Sequence, residues 1–141
     1  MDFVTLHASC VAVQGKGVLI IGASGSGKSS LALQLIAFGA DLIADDCTKL
    51  MRVGPDVVAK SPANIANMIE ARGIGILNAT AAPQTKITCV VDMDNAEQDR
   101  LPIPRFYPLL GLEIPLLHKV ENTAFAAALL QFLKAGRQNT P

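Results

Sequence analysis

Tryptophan is missing from this 141-residue chain, and aromatic residues make up only 4% of it. Half of the residues are nevertheless hydrophobic, so a core must be built from Val, Ile, Leu and Ala, as buried parallel or mixed sheets are. Net charge is lacking too: twelve basic and twelve acidic residues cancel. No basic field or local basic cluster exists to hold nucleic acid or an anionic membrane surface, so neither is expected as a partner. Apolar stretches of membrane-spanning length are absent; Phe125 to Leu133 is too short and contains Gln131. The first residues lack the charged, apolar, small-residue order of a secretory leader. The expectation is a soluble cytoplasmic protein. Cysteines are few, odd in number and widely spaced (Cys10, Cys47, Cys89), with no Cys-x-x-Cys pair. That excludes a disulfide framework or zinc site and leaves them as small apolar side chains. Repeats, low-complexity tracts and linkers are also missing, which points to one domain over residues 1–141.

What is present begins with Gly22-Ala23-Ser24-Gly25-Ser26-Gly27-Lys28-Ser29, a complete phosphate-binding loop. Before it, Gly17 to Ile21 is a short apolar run that reads as a buried strand. After it, Leu31, Leu35 and Phe38 recur at helical spacing until Gly39 stops the pattern. Glycines let the backbone curl so that successive N–H groups face phosphate oxygens, and the helix N-terminus adds partial positive charge. Lys28 can reach the outer phosphates as a point charge, while the Ser29 hydroxyl is placed to ligate magnesium. A glycine-rich turn alone would not explain the Gly-Lys-Ser order. The chain is expected to bind a nucleoside triphosphate.

Elsewhere, Val4 to Val13 reads as an opening strand containing His7, and Asp41 to Ala44 as a short one. Lys49 to Val53 and Val57 to Lys60 flank Gly54-Pro55-Asp56 as a hairpin. Ile65 to Ile69 suggests one helical turn, and Ile74 to Leu77 and Ile87 to Val91 further strands. Asn95 to Pro108, with three prolines, reads as a loop or edge excursion. Glu121 to Ala135 is a second helix closed by Gly136. The whole is an α/β unit dominated by strands.

Two further features carry chemistry. Leu42-Ile-Ala-Asp45-Asp46 is an apolar strand ending in two acids, a way of presenting carboxylates to a metal and a reacting phosphate. Successive side chains on a strand face opposite ways, so only one acid can face the nucleotide directly unless the strand breaks there. One division has Asp46 reaching the transferred group and Asp45 serving the metal shell or structure; alternatively Asp-Asp starts a turn. Glu70-Ala-Arg72-Gly73-Ile74-Gly75 puts an acid and a guanidinium two residues apart ahead of glycines. It suits a metal–phosphate site or, equally, a surface salt bridge.

In order and spacing, the loop Gly22–Ser29, Ala44-Asp45-Asp46 and the segment Glu70 to Ile76 resemble HPr kinase/phosphorylase, and His7 matches a histidine of that family. The likeness covers residues 4 to 80 and extends weakly through Leu110 to Pro115. It implies a P-loop-containing phosphoenolpyruvate carboxykinase-like fold with a mixed sheet and few helices. It also implies ATP and Mg2+ as cofactors, and an HPr-like phosphocarrier as the protein whose serine is phosphorylated or, in reverse, dephosphorylated by phosphorolysis. By the same resemblance Lys28 neutralises phosphate charge, Ser29 and Glu70 hold magnesium, Asp46 is the general base, His7 tunes it, and Arg72 stabilises charge. The family's hexamers imply a homo-oligomer.

Departures accompany the likeness. Ser30 stands where the family usually has Glu, and the flexible basic loop before the last helix has no counterpart, with Arg105 the one substitute for its arginine. The usual amino-terminal domain is also lacking, which implies a short, catalytic-domain form. Since the basic loop bears on phosphorolysis, the kinase direction is the expected one. The rival readings are a small-molecule kinase, which usually needs arginine-bearing lids, and a nucleotide-sensing module without transfer.

Overall fold

The computed structural model describes residues 3–62 and 67–138. Along the chain run strands β1 (Phe3–Leu6), β2 (Ala8–Val13) and β3 (Lys16–Ile21), helix α1 (Lys28–Ala37), then β4 (Asp41–Ala44), β5 (Thr48–Val53) and β6 (Asp56–Lys60). There follow β7 (Met68–Ala71), β8 (Gly75–Asn78), β9 (Thr85–Ala96), β10 (Arg105–Leu109), β11 (Leu112–Lys119) and helix α2 (Phe125–Ala135). Among the described residues this is a mixed α/β fold with one nine-stranded sheet in the order β1-β5-β6-β9-β3-β2-β4; β11 joins through β9, β10 through β11, and β7–β8 is a separate hairpin.

The apolar runs explain the centre of this sheet. Side chains alternate along each strand. Val18, Ile20, Cys89 and Val91 pack on one face with Leu31 and Leu35 of α1 and Leu129 and Leu133 of α2. Leu19 and Val90 face the other way, against Leu50, Val57, Leu109 and Ile114. β5, β6, β10 and β11 therefore curl over the face that the helices leave, and β3 and β9 are covered on both sides. Continuous hydrophobic runs rather than alternating ones are the result. Burial also pushes the Cys89 thiol up to about 12 and, with Cys89 as a lesser cause, raises that of Cys10 further. Both behave as the small apolar side chains expected.

Strand β9, with 12 residues, is about 40 Å long and organises the rest. It pairs in parallel with β3 over Lys86–Asp92, antiparallel with β6 at Thr85 and Lys86, and in parallel with β11 from Val90 onward. The expected loop from Asn95 to Pro108 is thus shorter: β9 runs to Ala96, and β10 begins at Arg105. Pro108 fits because β10 is an edge strand, and Pro115 because it precedes the segment of β11 that pairs with β9.

Other differences are local. The expected opening strand is two strands broken at His7: β1 pairs with β5, and β2 with β3 and β4. The helical turn expected over Ile65 to Ile69 lies partly outside the described residues; Ile69 itself is in β7 and only 1% exposed, packed with the α1 core. The last helix starts at Phe125, because Asn122 Oδ1 accepts the Ala124 N–H at 2.9 Å and holds the preceding residues in a turn.

Gly17 sits where β3 crosses the start of β9. A Cβ there would lie 2.4 Å from Thr85 Cγ2 and 2.6 Å from the Lys86 carbonyl oxygen, the latter a backbone atom. Gly17→Ala is therefore expected to destabilise the protein by about 1–3 kcal/mol, read as a lower urea midpoint. An unchanged midpoint would show that the crossing can open without cost.

Candidate active site

β2 is antiparallel to both β3 and β4, and β3 is parallel to β9. The carboxyl ends of β3, β4 and β9 therefore share one edge of the sheet, with the amino end of β2 among them. Ligands of α/β sheets bind at this edge, and the candidate residues collect here. The phosphate loop follows β3, Asp45 and Asp46 follow β4, and His7 and Ser9 stand at the start of β2. β7 packs on α1 and brings Glu70 and Arg72 to the opposite wall. Between them opens a cleft of about 620 Å³, lined by Ser24, Lys28, Ser29, Asp45, Asp46, Glu70 and Arg72 among others.

The loop curls as its glycines allow. Gly27 precedes α1 with φ +103, a conformation that side-chain-bearing residues seldom adopt. Lys28 is 5% exposed, and its Nζ donates to the carbonyl oxygens of Gly22 at 2.9 Å and Ala23 at 3.0 Å. The ammonium thus lies folded over the loop.

The acids divide their work. Asp45 is the more enclosed and accepts three hydrogen bonds: Ser29 Oγ at 2.6 Å and Ser9 Oγ at 2.9 Å on Oδ1, and the Glu70 N–H at 3.1 Å on Oδ2. Asp46 does not continue the strand. Its φ is +64, in the left-handed region that Asp tolerates better than most residues. This break lets both acids line the cleft, the exception that strand alternation alone leaves open. Asp46 Oδ1 lies 3.3 Å from His7 Nδ1, and His7 Nε2 lies 3.3 Å from Ser24 Oγ. With a proton on Nδ1 facing the carboxylate, a neutral His7 accepts the Ser24 hydroxyl at Nε2. Both members of the His7–Asp46 pair are well exposed (47% and 64%), so it orients groups rather than stabilising the fold.

Two contributors escaped the sequence reading. Ser9 is fully buried; its hydroxyl donates to Asp45 and accepts the Asp46 N–H at 3.1 Å. The only signal for it was one hydroxyl inside the apolar run Ala8 to Val13. Asp94 accepts the Ala23 N–H from the far side of the loop. Arg105, weighed as a substitute for a loop arginine, is held by Glu97 through an ion pair. The Asp99 backbone N–H, with lesser help from Arg105, keeps Glu97 below the usual carboxylate range.

Magnesium is implied by the resemblance, and the donor set can be tested against it. Among the described residues no group of three or more His, Cys, Asp or Glu could cage a metal. The Ser29 hydroxyl, the Asp45 carboxylate and Glu70 on the cleft wall do suit a hard cation that keeps waters and takes phosphate oxygens.

Comparison with known proteins decides the family. The model of the HPr serine kinase C-terminal domain matches residues 2–116. The chain belongs to that family. HPr kinase/phosphorylase of Cupriavidus necator is 36% identical over 97% of this chain and 46% of its own length. That of Caldanaerobacter subterraneus is 36% identical over 78% of this chain and 37% of its own length. The chain thus spans about half, or less, of the curated relatives it matches. The structure of the Hpr(Ser) kinase/phosphatase from Coxiella burnetii superposes with a TM-score of 0.77, covering 92% of this chain and 93% of that one at 22% identity. The shared architecture of curled mixed sheet and two helices follows from that match.

Ser9→Ala would leave the Asp46 N–H without its acceptor inside the protein. A loss of about 1–3 kcal/mol in unfolding free energy is expected, measured by urea denaturation. Full retention of stability would remove Ser9 from this network.

Proposed function

We propose that residues 1–141 form one catalytic unit of the phosphoenolpyruvate carboxykinase-like P-loop type. In this reading the unit is an ATP- and magnesium-dependent protein-serine kinase acting on an HPr-like phosphocarrier. Its family supports the substrate, and the asymmetry of the two acids supports the chemistry. Asp45 already accepts three donors of the about four bonds a carboxylate can take, and is a fixed acceptor with room for little more than a metal ion. Asp46 is mostly exposed, with His7 the one side chain paired with it among the described residues, and keeps oxygen lone pairs for an incoming hydroxyl proton. That difference is the observation on which the reading rests.

The mechanism follows from it. Lys28 leaves the Gly22 and Ala23 carbonyls for the outer phosphates, and loop N–H groups take the remaining oxygens. Ser29, Asp45 and Glu70 would hold magnesium, which when bound neutralises phosphate charge. A serine hydroxyl of the partner enters beside Asp46, which takes its proton as the oxygen attacks the γ-phosphorus and ADP leaves. His7 fixes the orientation of the Asp46 carboxylate, and Arg72 on the opposite wall stabilises the transferring group. Phosphoryl transfer asks a protein mainly for positioning and charge neutralisation, and these residue types supply both. We place the activity in the cytoplasm, in a homo-oligomer, without nucleic acid or membrane as partner.

The deciding experiment incubates the protein with γ-labelled ATP and purified HPr. Label on the HPr serine supports this reading; label on a small metabolite, or tight ATP binding with no transfer, sinks it. Chelation of divalent cations is expected to abolish transfer, and added magnesium to restore it. Lys28→Ala should lose nucleotide affinity, measured by titration with a fluorescent ATP analogue. Asp46→Asn should keep that affinity while transfer falls about a hundred- to ten-thousand-fold. Normal turnover in Asp46→Asn would rule out its role as base.

A further inference from the structure

Toward the carboxyl end of β9, just past the Ile21–Asp92 pairing with β3, Met93 and Asp94 lie against the phosphate loop. Met93, 7% exposed, is its floor: a Cβ built on Gly22 would come within 3.2 Å of Met93 Cβ, and one on Gly27 within 3.4 Å of its Cε. Asp92 shapes the irregular stretch of β9 that follows, where the pairing with β11 slips from Asp92 to Ala96. Its Oδ1 accepts the Asp94 N–H at 2.8 Å and its Oδ2 the Asn95 side-chain amide at 2.7 Å. From this stretch Asp94 reaches the loop, where its two carboxylate oxygens accept the Ala23 N–H at 3.0 and 3.1 Å.

That N–H belongs to the same peptide unit whose carbonyl, on Gly22, accepts from Lys28. One peptide is therefore gripped at its nitrogen by a carboxylate and at its oxygen by an ammonium. The two grips differ in permanence. In the proposed reaction Lys28 must leave for the phosphates, which frees the carbonyl end just when the loop has to hold its shape. Asp94 has no such alternative duty.

We propose that Asp94 is a positioning residue: it latches the entry arm of the phosphate loop through Ala23 N–H, so that the arm stays fixed while Lys28 transfers to the nucleotide. This rests on the nucleotide-binding reading of the loop but assigns a residue which that reading does not use. Asp94 is exposed, and among the described residues its carboxylate hydrogen-bonds the loop backbone alone. Its removal should therefore act on affinity through loop order rather than on the proton transfer at Asp46. The charge effect has the opposite sign: losing a carboxylate near a triphosphate favours the anion. Weaker binding in a variant would thus report the lost grip.

The test compares Asp94→Ala with Asp94→Asn, which keeps one carbonyl acceptor for the Ala23 N–H. Hydrogen exchange in the free protein should show the Ala23 amide protected in the parent and in Asp94→Asn and unprotected in Asp94→Ala. Titration with an ATP analogue should show Asp94→Ala binding about tenfold more weakly, with Asp94→Asn close to the parent. KM for ATP should rise by more than the rate at saturation falls. Equal Ala23 exchange in the parent and Asp94→Ala overturns the latch, whether or not nucleotide binds. An Asp94→Asn variant as defective as Asp94→Ala, with a raised magnesium requirement, also overturns it and makes Asp94 a metal ligand. If the parent binds no nucleotide but the Ala23 amide behaves as expected, the latch stands and the reading of the loop fails.

Discussion

The carboxylate of Asp45 ties together four pieces of chain where the sheet ends. Its donors are the Ser9 hydroxyl from β2, the Ser29 hydroxyl from the first turn of α1 and the Glu70 N–H from β7, while the carboxylate itself hangs from the end of β4. A carboxylate in this setting makes charge-assisted hydrogen bonds, stronger than those between neutral partners. Those bonds fix the distance between the phosphate loop and the wall that carries Glu70 and Arg72. Without them the hairpin β7–β8, outside the main sheet, would be held chiefly by the packing of Ile69 beneath α1. The geometry proposed for catalysis depends on this one acceptor being satisfied.

Energetically the molecule is divided. Stability comes from the strands covered on both faces, where each buried Leu, Ile or Val contributes about 1.5–3 kcal/mol relative to exposure. The contacts that set the chemistry lie at strand ends, where the sheet stops. There the His7–Asp46 pair is exposed enough to be worth only about 0–1 kcal/mol. Such groups can move without unfolding anything. The left-handed backbone at Asp46 is tolerated for the same reason: Ser9, anchored in the core, takes the Asp46 N–H and carries the distortion.

Much of this was legible in the sequence because the signals were local. The strand, glycine loop and helix around Gly22–Ser29 are consecutive, so periodicity and glycine placement fix them, and the hairpin around Gly54-Pro55 is equally short-ranged. What the sequence hid depends on distant partners. The prolines at 108 and 115 argue against strands until it is known that one lies on an edge and the other precedes the shared segment. The break at His7 is invisible because apolar residues continue on both sides of it; only the switch of partner from β5 to β3 and β4 reveals it. Ser9 and Asp94 carry no motif. Each matters through distant partners, Ser9 through the Asp45 carboxylate and the Asp46 N–H, Asp94 through the Ala23 N–H.

The same dependence explains why two adjacent acids can take different parts. Neither Asp45 nor Asp46 is distinguished by residue type or by strand position, since both follow the apolar run of β4. The distinction comes from what arrives around them. Two hydroxyls and an amide converge on the first, whereas the turn to positive φ swings the second toward His7 and the cleft. A carboxylate whose lone pairs are mostly committed to fixed donors has little room for an incoming hydroxyl. One with lone pairs facing a cleft has that room. The base proposed for the transfer is thus selected by the number of donors each acid meets, and Ser9 takes part in both outcomes, bonding the side chain of one acid and the backbone of the next.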